Sequence, residues 1–168
     1  ALVRLPERVA LSQLVSAYRS TPEGANPWNL PFALGESALQ PVALTTPNLL
    51  VVGRQGCGKS STLAAVGQSI VRSLMPDQAQ IVIIDPKTSL IGKVQVPHVR
   101  AYAYTQEDID QVLEGLAREL QDRLPPSGLS QEELLSRTSW EGPHYYVLID
   151  DEQELRANGA VLGKPAAV

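Results

Sequence analysis

The chain has 168 residues, of which 43% are hydrophobic, so it can fold around a core of its own and is not a disordered segment. Its net charge of −4 argues against a broad nucleic-acid-binding face, which needs an excess of Lys and Arg, but does not exclude a local basic patch. The single cysteine, Cys57, excludes an internal disulfide framework and is typical of a reducing compartment.

The first segment with a clear pattern is a short helix near the N-terminus. Apolar residues recur at helical spacing between residues 11 and 18, and Ser12 is the predicted N-cap. Residues 21–31 are rich in Pro, Gly and Asn, which predicts a loop. Two short strands are predicted after it, at residues 32–35 and 40–44.

The most informative segment is residues 53–60, which satisfy the phosphate-binding motif G-x-x-x-x-G-K-[ST]. An apolar run at 48–52 predicts a buried strand before it, and residues 61–74 predict a helix after it. In that setting glycines let backbone N–H groups surround a phosphate, and the helix N-terminus adds positive charge, so a chance glycine-rich turn is the weaker interpretation. The predicted nucleotide-binding residues are Gly53, Arg54, Gln55, Gly56, Cys57, Gly58, Lys59, Ser60 and Ser61.

The remaining elements alternate between strands and helices. Strands are predicted at 80–84 and 99–104, and a helix at 106–123 with Thr105 as N-cap, followed by a short helix at 130–137 and a strand at 145–149. This order predicts an α/β fold with a mostly parallel sheet and helices on both faces. Ligands of such sheets bind at the carboxyl ends of the strands.

Two acids, Asp150 and Asp151, follow the last strand. A carboxylate in this place is the usual companion of a phosphate-binding loop, so we predict that Ser60 and Asp150 hold Mg²⁺ while Lys59 contacts the phosphates of ATP. Asp151 is the predicted residue that orients the attacking water. Its side chain is shorter than that of the more usual Glu by about 1.5 Å. The predicted catalytic residues are therefore Lys59, Asp150 and Asp151, with firm ATP binding and slow hydrolysis.

Several other residues allow more than one interpretation. His98 and His144 lie beside prolines without metal-ligand spacing, which favours structural roles. Trp28 and Trp140 could stack on adenine, but packing is the safer interpretation. Lys87 and Arg100 could approach phosphates or could lie on a solvated surface; the sequence does not decide between these two roles. Residues 159–163 could form an edge strand.

An ordered set of segments resembles the FtsK/SpoIIIE-type ATPase modules of EccC, the motor of type VII (ESX) secretion. The segments are residues 5–9, 47–53 running into the phosphate-binding loop, 83–87, 89–92, 123–126 and 140–143. Asp85-Pro86-Lys87 is similar to a segment of FtsK-like translocases, whereas residues 89–92 and 123–126 are most similar to the third ATPase module of EccC. The resemblance implies a P-loop NTPase fold of the RecA/FtsK-like type.

The resemblance also implies partners and a location. It implies a hexameric assembly with neighbouring ATPase modules, on the cytoplasmic side of a membrane secretion complex to which the parent protein belongs. It implies recognition of the C-terminal signal of WXG100-type substrates, and we do not expect a nucleic-acid partner. Arg54-Gln55 and the Asp150-Asp151 pair depart from the strong family pattern, which puts turnover in doubt.

The sequence divides into two predicted parts. Residues 1–46 are expected to form an N-terminal extension that packs on the ATPase core, and residues 47–168 to form that core, incomplete at its C-terminal end. The chain lacks an initiator Met and a signal-peptide layout, so we expect it to be a fragment of a longer protein. Three other functions stay open: a nucleotide-stabilised binding module without hydrolysis, a DNA translocase domain and, with less support, a small P-loop kinase.

Overall fold

The computed structural model describes residues 6–36, 38–94, 97–124, 128, 130, 132 and 142–151, and these are the described residues below. Their helices and strands follow the alternating order predicted for an α/β fold. In chain order they are α1 (Leu11–Arg19), a 3-10 helix (Pro22–Ala25), β1 (Leu30–Leu34), β2 (Pro41–Leu44), α2 (Lys59–Ser73), β3 (Ala79–Ile84), β4 (Val99–Ala103), α3 (Gln106–Asp122) and β5 (His144–Ile149). No described helix is long and apolar enough to cross a membrane.

The central sheet has three parallel strands in the order β4-β3-β5. Its middle strand, β3, is a nearly continuous β-branched run with almost every residue buried, as expected for a strand covered on both faces. The strand ends are level: the Asp150 N–H donates to the Ile84 carbonyl at 2.9 Å, and the Asp85 N–H donates to the Ala103 carbonyl at 2.9 Å. Asp85 and Asp150 therefore lie side by side at the carboxyl edge.

Helices cover both faces of this sheet. Ile81 and Ile83 of β3 pack in one cluster with Ile70 of α2, whereas Ile84 packs on the other face with Ile109 of α3. This alternation follows from the two-residue period of a strand. Helix α3 begins as predicted, because the Thr105 side chain accepts a hydrogen bond from the Asp108 N–H at 3.2 Å. The predicted α/β architecture, with a mostly parallel sheet between helices, is confirmed.

The N-terminal region forms an antiparallel pair, β1 with β2, that lies against α1 and α2. Both strands were predicted. The predicted N-cap of α1 was wrong: the helix begins at Leu11, and Ala10 occupies the capping position without a side-chain bond. The Ala10 carbonyl accepts from the N–H groups of Gln13 and Leu14, so Ser12 already lies inside the helix. That residues 1–46 form an extension distinct from residues 47–168 stays a prediction.

The buried strand predicted at residues 48–52 was also wrong. These residues form no strand, and the side chains of Leu50 and Val52 are each 82% exposed. A buried strand needs hydrogen-bonding neighbours and covered faces, and an apolar run reports only that burial would be favourable. In the described part of the chain β5 pairs with β3 alone, so residues 48–52 do not occupy its other edge. Trp140 and the strand predicted at 159–163 lie outside the described residues. So does the helix predicted at 130–137, apart from residues 130 and 132.

Candidate functional site

The loop of residues 53–58 leads directly into α2. Gly56 and Gly58 have φ angles of +78° and +97°, values that favour glycine. A Cβ on Gly53 would lie 2.4 Å from the Cys57 sulfur, so a side chain at this position would have to displace that of Cys57. Gly58 is the N-cap of α2 and has no side chain to cap it. The first-turn N–H groups therefore receive no oxygen from the capping residue, which suits an anion at this helix end.

The Lys59 ammonium lies over the same loop. Its Nζ donates to the carbonyl oxygens of Gly53 and Arg54, both at 3.1 Å, and the residue is half-buried. These two bonds close the loop around the amine. The ammonium is thereby held among the residues predicted to surround phosphate, at the start of α2.

Ser60 and Asp150 are joined by a direct hydrogen bond. The Ser60 hydroxyl donates to Oδ2 of Asp150 at 2.6 Å, across 90 residues of sequence, and Asp150 is 5% exposed. The structure thus brings together the two residues predicted to hold Mg²⁺. No group of three or more His, Cys, Asp or Glu side chains forms a metal site within the described residues. Mg²⁺ commonly binds through one or two protein oxygens together with substrate phosphates, so a hydroxyl beside a carboxylate fits it.

Asp151 is turned toward a different partner. Its carboxylate forms an ion pair with the Lys87 ammonium, and its backbone has a φ of +60°. The sequence does not predict this contact, since its pattern indicates a water-orienting role for Asp151 and allows two roles for Lys87. The available signal was positional: Lys87 follows β3 and Asp151 follows the adjacent strand β5. The water-orienting role of Asp151 stays a prediction.

Asp85 lies at the edge of the site, next to Asp150, and the sequence predicts no role for it. It is completely buried, and its Oδ2 accepts from the Leu90 N–H at 2.6 Å and from the Tyr102 hydroxyl at 2.5 Å. Its Oδ1 has no hydrogen-bond partner among the described residues. Burial raises the pKa of Tyr102, and the hydrogen bond to Asp85 raises this pKa further, so the hydroxyl stays a donor. The sequence signal for Asp85 is its place as an acid directly after an apolar strand.

Two aromatic and basic candidates lie outside the phosphate-binding loop. The Trp28 ring contacts the His144 ring in a tilted arrangement, at a centroid distance of 4.3 Å and an interplanar angle of 50°. His144 begins β5, so it lies at the end of that strand opposite Asp150. Arg100 pairs with Glu119 and donates to the Tyr145 hydroxyl at 2.6 Å. Arg100 thus fastens α3 to the sheet. These contacts favour packing for Trp28 and a structural role for Arg100.

His98 is a buried structural residue. It is 4% exposed, and its Nε2 lies 2.8 Å from the Leu74 carbonyl oxygen, just after α2. This contact links the end of α2 to the start of β4. The structural role predicted for His98 agrees with its position.

Proteins of known sequence share this chain's pattern. "ESX-5 secretion system protein EccC5" of Mycobacterium marinum is 34% identical in an alignment 168 positions long, which covers 90% of this chain and 12% of that protein. "ESX secretion system protein EccC" of Thermomonospora curvata is 31% identical over 150 residues, which cover 88% of this chain and 11% of that protein. The chain therefore spans about an eighth of the length of these relatives.

Solved structures show the same fold. The Thermomonospora curvata structure "EccC (ATPases 2 and 3) in complex with a signal sequence peptide" superposes with a TM-score of 0.76 at 29% identity, covering 93% of this chain and 28% of that one. A second structure, named "ATPase", has a TM-score of 0.77 at 33% identity and covers 90% of this chain and 61% of that one.

The sequence also matches a protein family over most of its length. Residues 12–155 match the FtsK/SpoIIIE family. The matched range contains the phosphate-binding loop, the parallel sheet, and Asp150 and Asp151. P-loop ATPases of this type use nucleotide and Mg²⁺ in general. The fold is that of a P-loop NTPase, and the chain belongs to the FtsK/SpoIIIE family.

Proposed function

We propose that this chain is an ATP-binding module of a type VII protein-secretion motor. The observation that carries the nucleotide site is the 2.6 Å hydrogen bond between the Ser60 hydroxyl and Asp150, at the mouth of the glycine loop. This bond sets a hydroxyl and a carboxylate beside the ammonium at the N-terminus of α2. Their arrangement supports a triphosphate with one magnesium ion.

Each residue has a defined task in this proposal. The backbone N–H groups of residues 53–61 surround the phosphates, and the Lys59 ammonium leaves the Gly53 and Arg54 carbonyls to neutralise phosphate charge. Ser60 and Asp150 would hold Mg²⁺, which when bound neutralises phosphate oxygens. Asp151 orients the water that attacks the terminal phosphate in line. Its short side chain and its ion pair with Lys87 favour slow turnover.

Nucleotide-induced thermal stabilisation tests this site. The unmodified chain should melt at a higher temperature with Mg²⁺ and ATP, because a ligand that binds only the folded state stabilises it. The Lys59→Ala variant should lose this shift. Lys93→Ala is the matched control, since Lys93 is exposed and its hydrogen bonds with the described residues Gln68 and Leu90 are made by its backbone, which the substitution keeps. An unchanged shift in Lys59→Ala would contradict the assignment.

We also propose that the module recognises the C-terminal signal of a WXG100-type substrate. The support is the likeness to the Thermomonospora curvata EccC structure, which was solved in complex with a signal sequence peptide. We further propose that the module has neighbouring ATPase modules, for which the words "ATPases 2 and 3" in the name of that structure are the support. A hexameric assembly and a location on the cytoplasmic side of a membrane secretion complex are proposed from the resemblance to EccC alone. These proposals concern the whole protein, of which this chain spans a part.

Fluorescence anisotropy with a labelled C-terminal peptide of a WXG100-type protein tests the partner. Saturable binding is expected, and a scrambled peptide of the same composition should not bind. Duplex DNA serves as the opposing ligand: binding that weakens steeply with salt, in the absence of peptide binding, would instead support a DNA translocase.

A further inference from the structure

Lys87 projects from a tightly bonded turn at residues 85–90, after β3. The carbonyl of Asp85 accepts from the Thr88 N–H at 3.0 Å, and the buried carboxylate of Asp85 accepts from the Leu90 N–H at 2.6 Å. Thr88 has a φ of +54°, unusual for a β-branched residue, and its hydroxyl donates to the Lys87 carbonyl at 2.8 Å. The turn therefore holds the Lys87 backbone in one position.

Asp151 is anchored equally firmly on the adjacent strand. Asp150, the residue before it, donates its N–H to the Ile84 carbonyl at 2.9 Å and accepts the Ser60 hydroxyl at 2.6 Å. Asp151 itself has a left-handed backbone, and its carboxylate pairs with Lys87. Two successive acids thus have two different partners, one in the phosphate-binding loop and one in the 85–90 turn.

The ion pair between Lys87 and Asp151 lies at the surface, where such a contact opens readily. The two side chains are 55% and 29% exposed, and ion pairs in such surroundings are weak. Through Asp150 the pair is connected to Ser60, the hydroxyl expected to face the terminal phosphates. A terminal phosphate carries more negative charge than a carboxylate and offers several oxygens, so it can compete for the ammonium.

We propose that Lys87 is a positioning residue that exchanges Asp151 for the terminal phosphate of a nucleoside triphosphate. Without the phosphate, Lys87 holds the Asp151 carboxylate; with it, the carboxylate is released to orient water. The exchange makes the freedom of Asp151 depend on the phosphate that is to be cleaved. This inference rests on the proposed nucleotide site and adds to it discrimination between triphosphate and diphosphate.

A double-mutant cycle read by calorimetry tests the exchange. The unmodified chain, Asp151→Asn, Lys87→Gln and the double variant are titrated with a non-hydrolysable ATP analogue and with ADP, both with Mg²⁺. Asp151→Asn should bind the analogue about threefold more tightly, because Lys87 no longer has to leave the Asp151 carboxylate, and should bind ADP unchanged. The gain should vanish in the Lys87→Gln background and persist with Lys87→Arg.

The controls separate this exchange from a general charge effect. Asp122→Asn removes an exposed acid at the end of α3 and should leave both affinities unchanged. An Asp151→Asn gain that persists in the Lys87→Gln background, or that is equal for both nucleotides, would overturn the exchange alone. Failure of the unmodified chain to bind either nucleotide would overturn the proposed function and this inference with it.

Discussion

The Tyr102 hydroxyl donates a hydrogen bond to the buried carboxylate of Asp85 at 2.5 Å. The two residues lie on adjacent strands, Tyr102 near the end of β4 and Asp85 just after β3. Asp85 is fully buried, and one of its oxygens lacks a partner among the described residues, so each bond to the other oxygen matters. This pair supports the turn that carries Lys87.

Tyr102→Phe should destabilise the fold by about 2 kcal/mol, because it removes one of the donors to a buried acid and replaces it with nothing. Urea unfolding followed by circular dichroism measures this loss. Tyr104→Phe is the matched control, since Tyr104 is 53% exposed, and its free energy of unfolding should change by less than about 0.5 kcal/mol. Equal stabilities of the two variants would show that the Asp85 bond does not contribute.

Two helical glycines should respond in opposite directions to alanine. A Cβ on Gly67 of α2 would lie 2.7 Å from Val94 and 3.0 Å from Leu148, so Gly67→Ala should cost about 1–3 kcal/mol. A Cβ on Gly115 of α3 would meet no atom within 4 Å, so Gly115→Ala should stabilise the chain by roughly 0.5–1 kcal/mol through helix propensity. Calorimetric melting temperatures give both signs, and a destabilised Gly115→Ala would refute the open-space argument.

Local determinants explain which elements the sequence predicts. The start of α3 depends on one side chain, Thr105, and on an N–H three residues later. The phosphate-binding loop depends on three spaced glycines and a lysine, and β3 on a run of apolar residues. Each signal lies within a short window, so its position could be read directly. The Ser12 prediction failed within such a window, because the Ala10 carbonyl satisfies the first helical N–H groups without a side-chain cap.

Contacts between distant segments explain the remaining differences. The bond of Ser60 to Asp150 was predictable because a known motif pairs those residue types across the sheet. The ion pair of Lys87 with Asp151 needed the strand order and the backbone conformation at both ends, neither of which the sequence states. The buried strand predicted at residues 48–52 was wrong for the same reason, because burial of a strand depends on neighbours elsewhere in the chain.

Glu119 should make part of the stability depend on acidic pH. The Tyr145 hydroxyl, which donates to it at 2.7 Å, and then Arg100 lower the pKa of this carboxyl from its usual value near 4.5. Since the folded pKa lies below the unfolded one, the folded state binds fewer protons, and the contribution is complete above the usual value. It is lost as the pH falls through the folded pKa. Burial raises the pKa of Tyr145, so its hydroxyl stays a donor throughout this range.

Glu119→Gln should therefore reduce stability at pH 7 and flatten the decline of stability below the usual carboxyl pKa, because the variant has no proton to take up there. Urea unfolding midpoints at pH 7, 5, 4 and 3 measure both effects. Glu114→Gln is the control: Glu114 pairs with Arg118 on the exposed face of α3, and ion pairs of that kind contribute little. Because the Glu119 effect requires a carboxylate bonded to Tyr145, a Tyr145→Phe background should remove part of the pH dependence. Parallel pH profiles for Glu119→Gln and the unmodified chain would show that the carboxylate has the same proton affinity in both states.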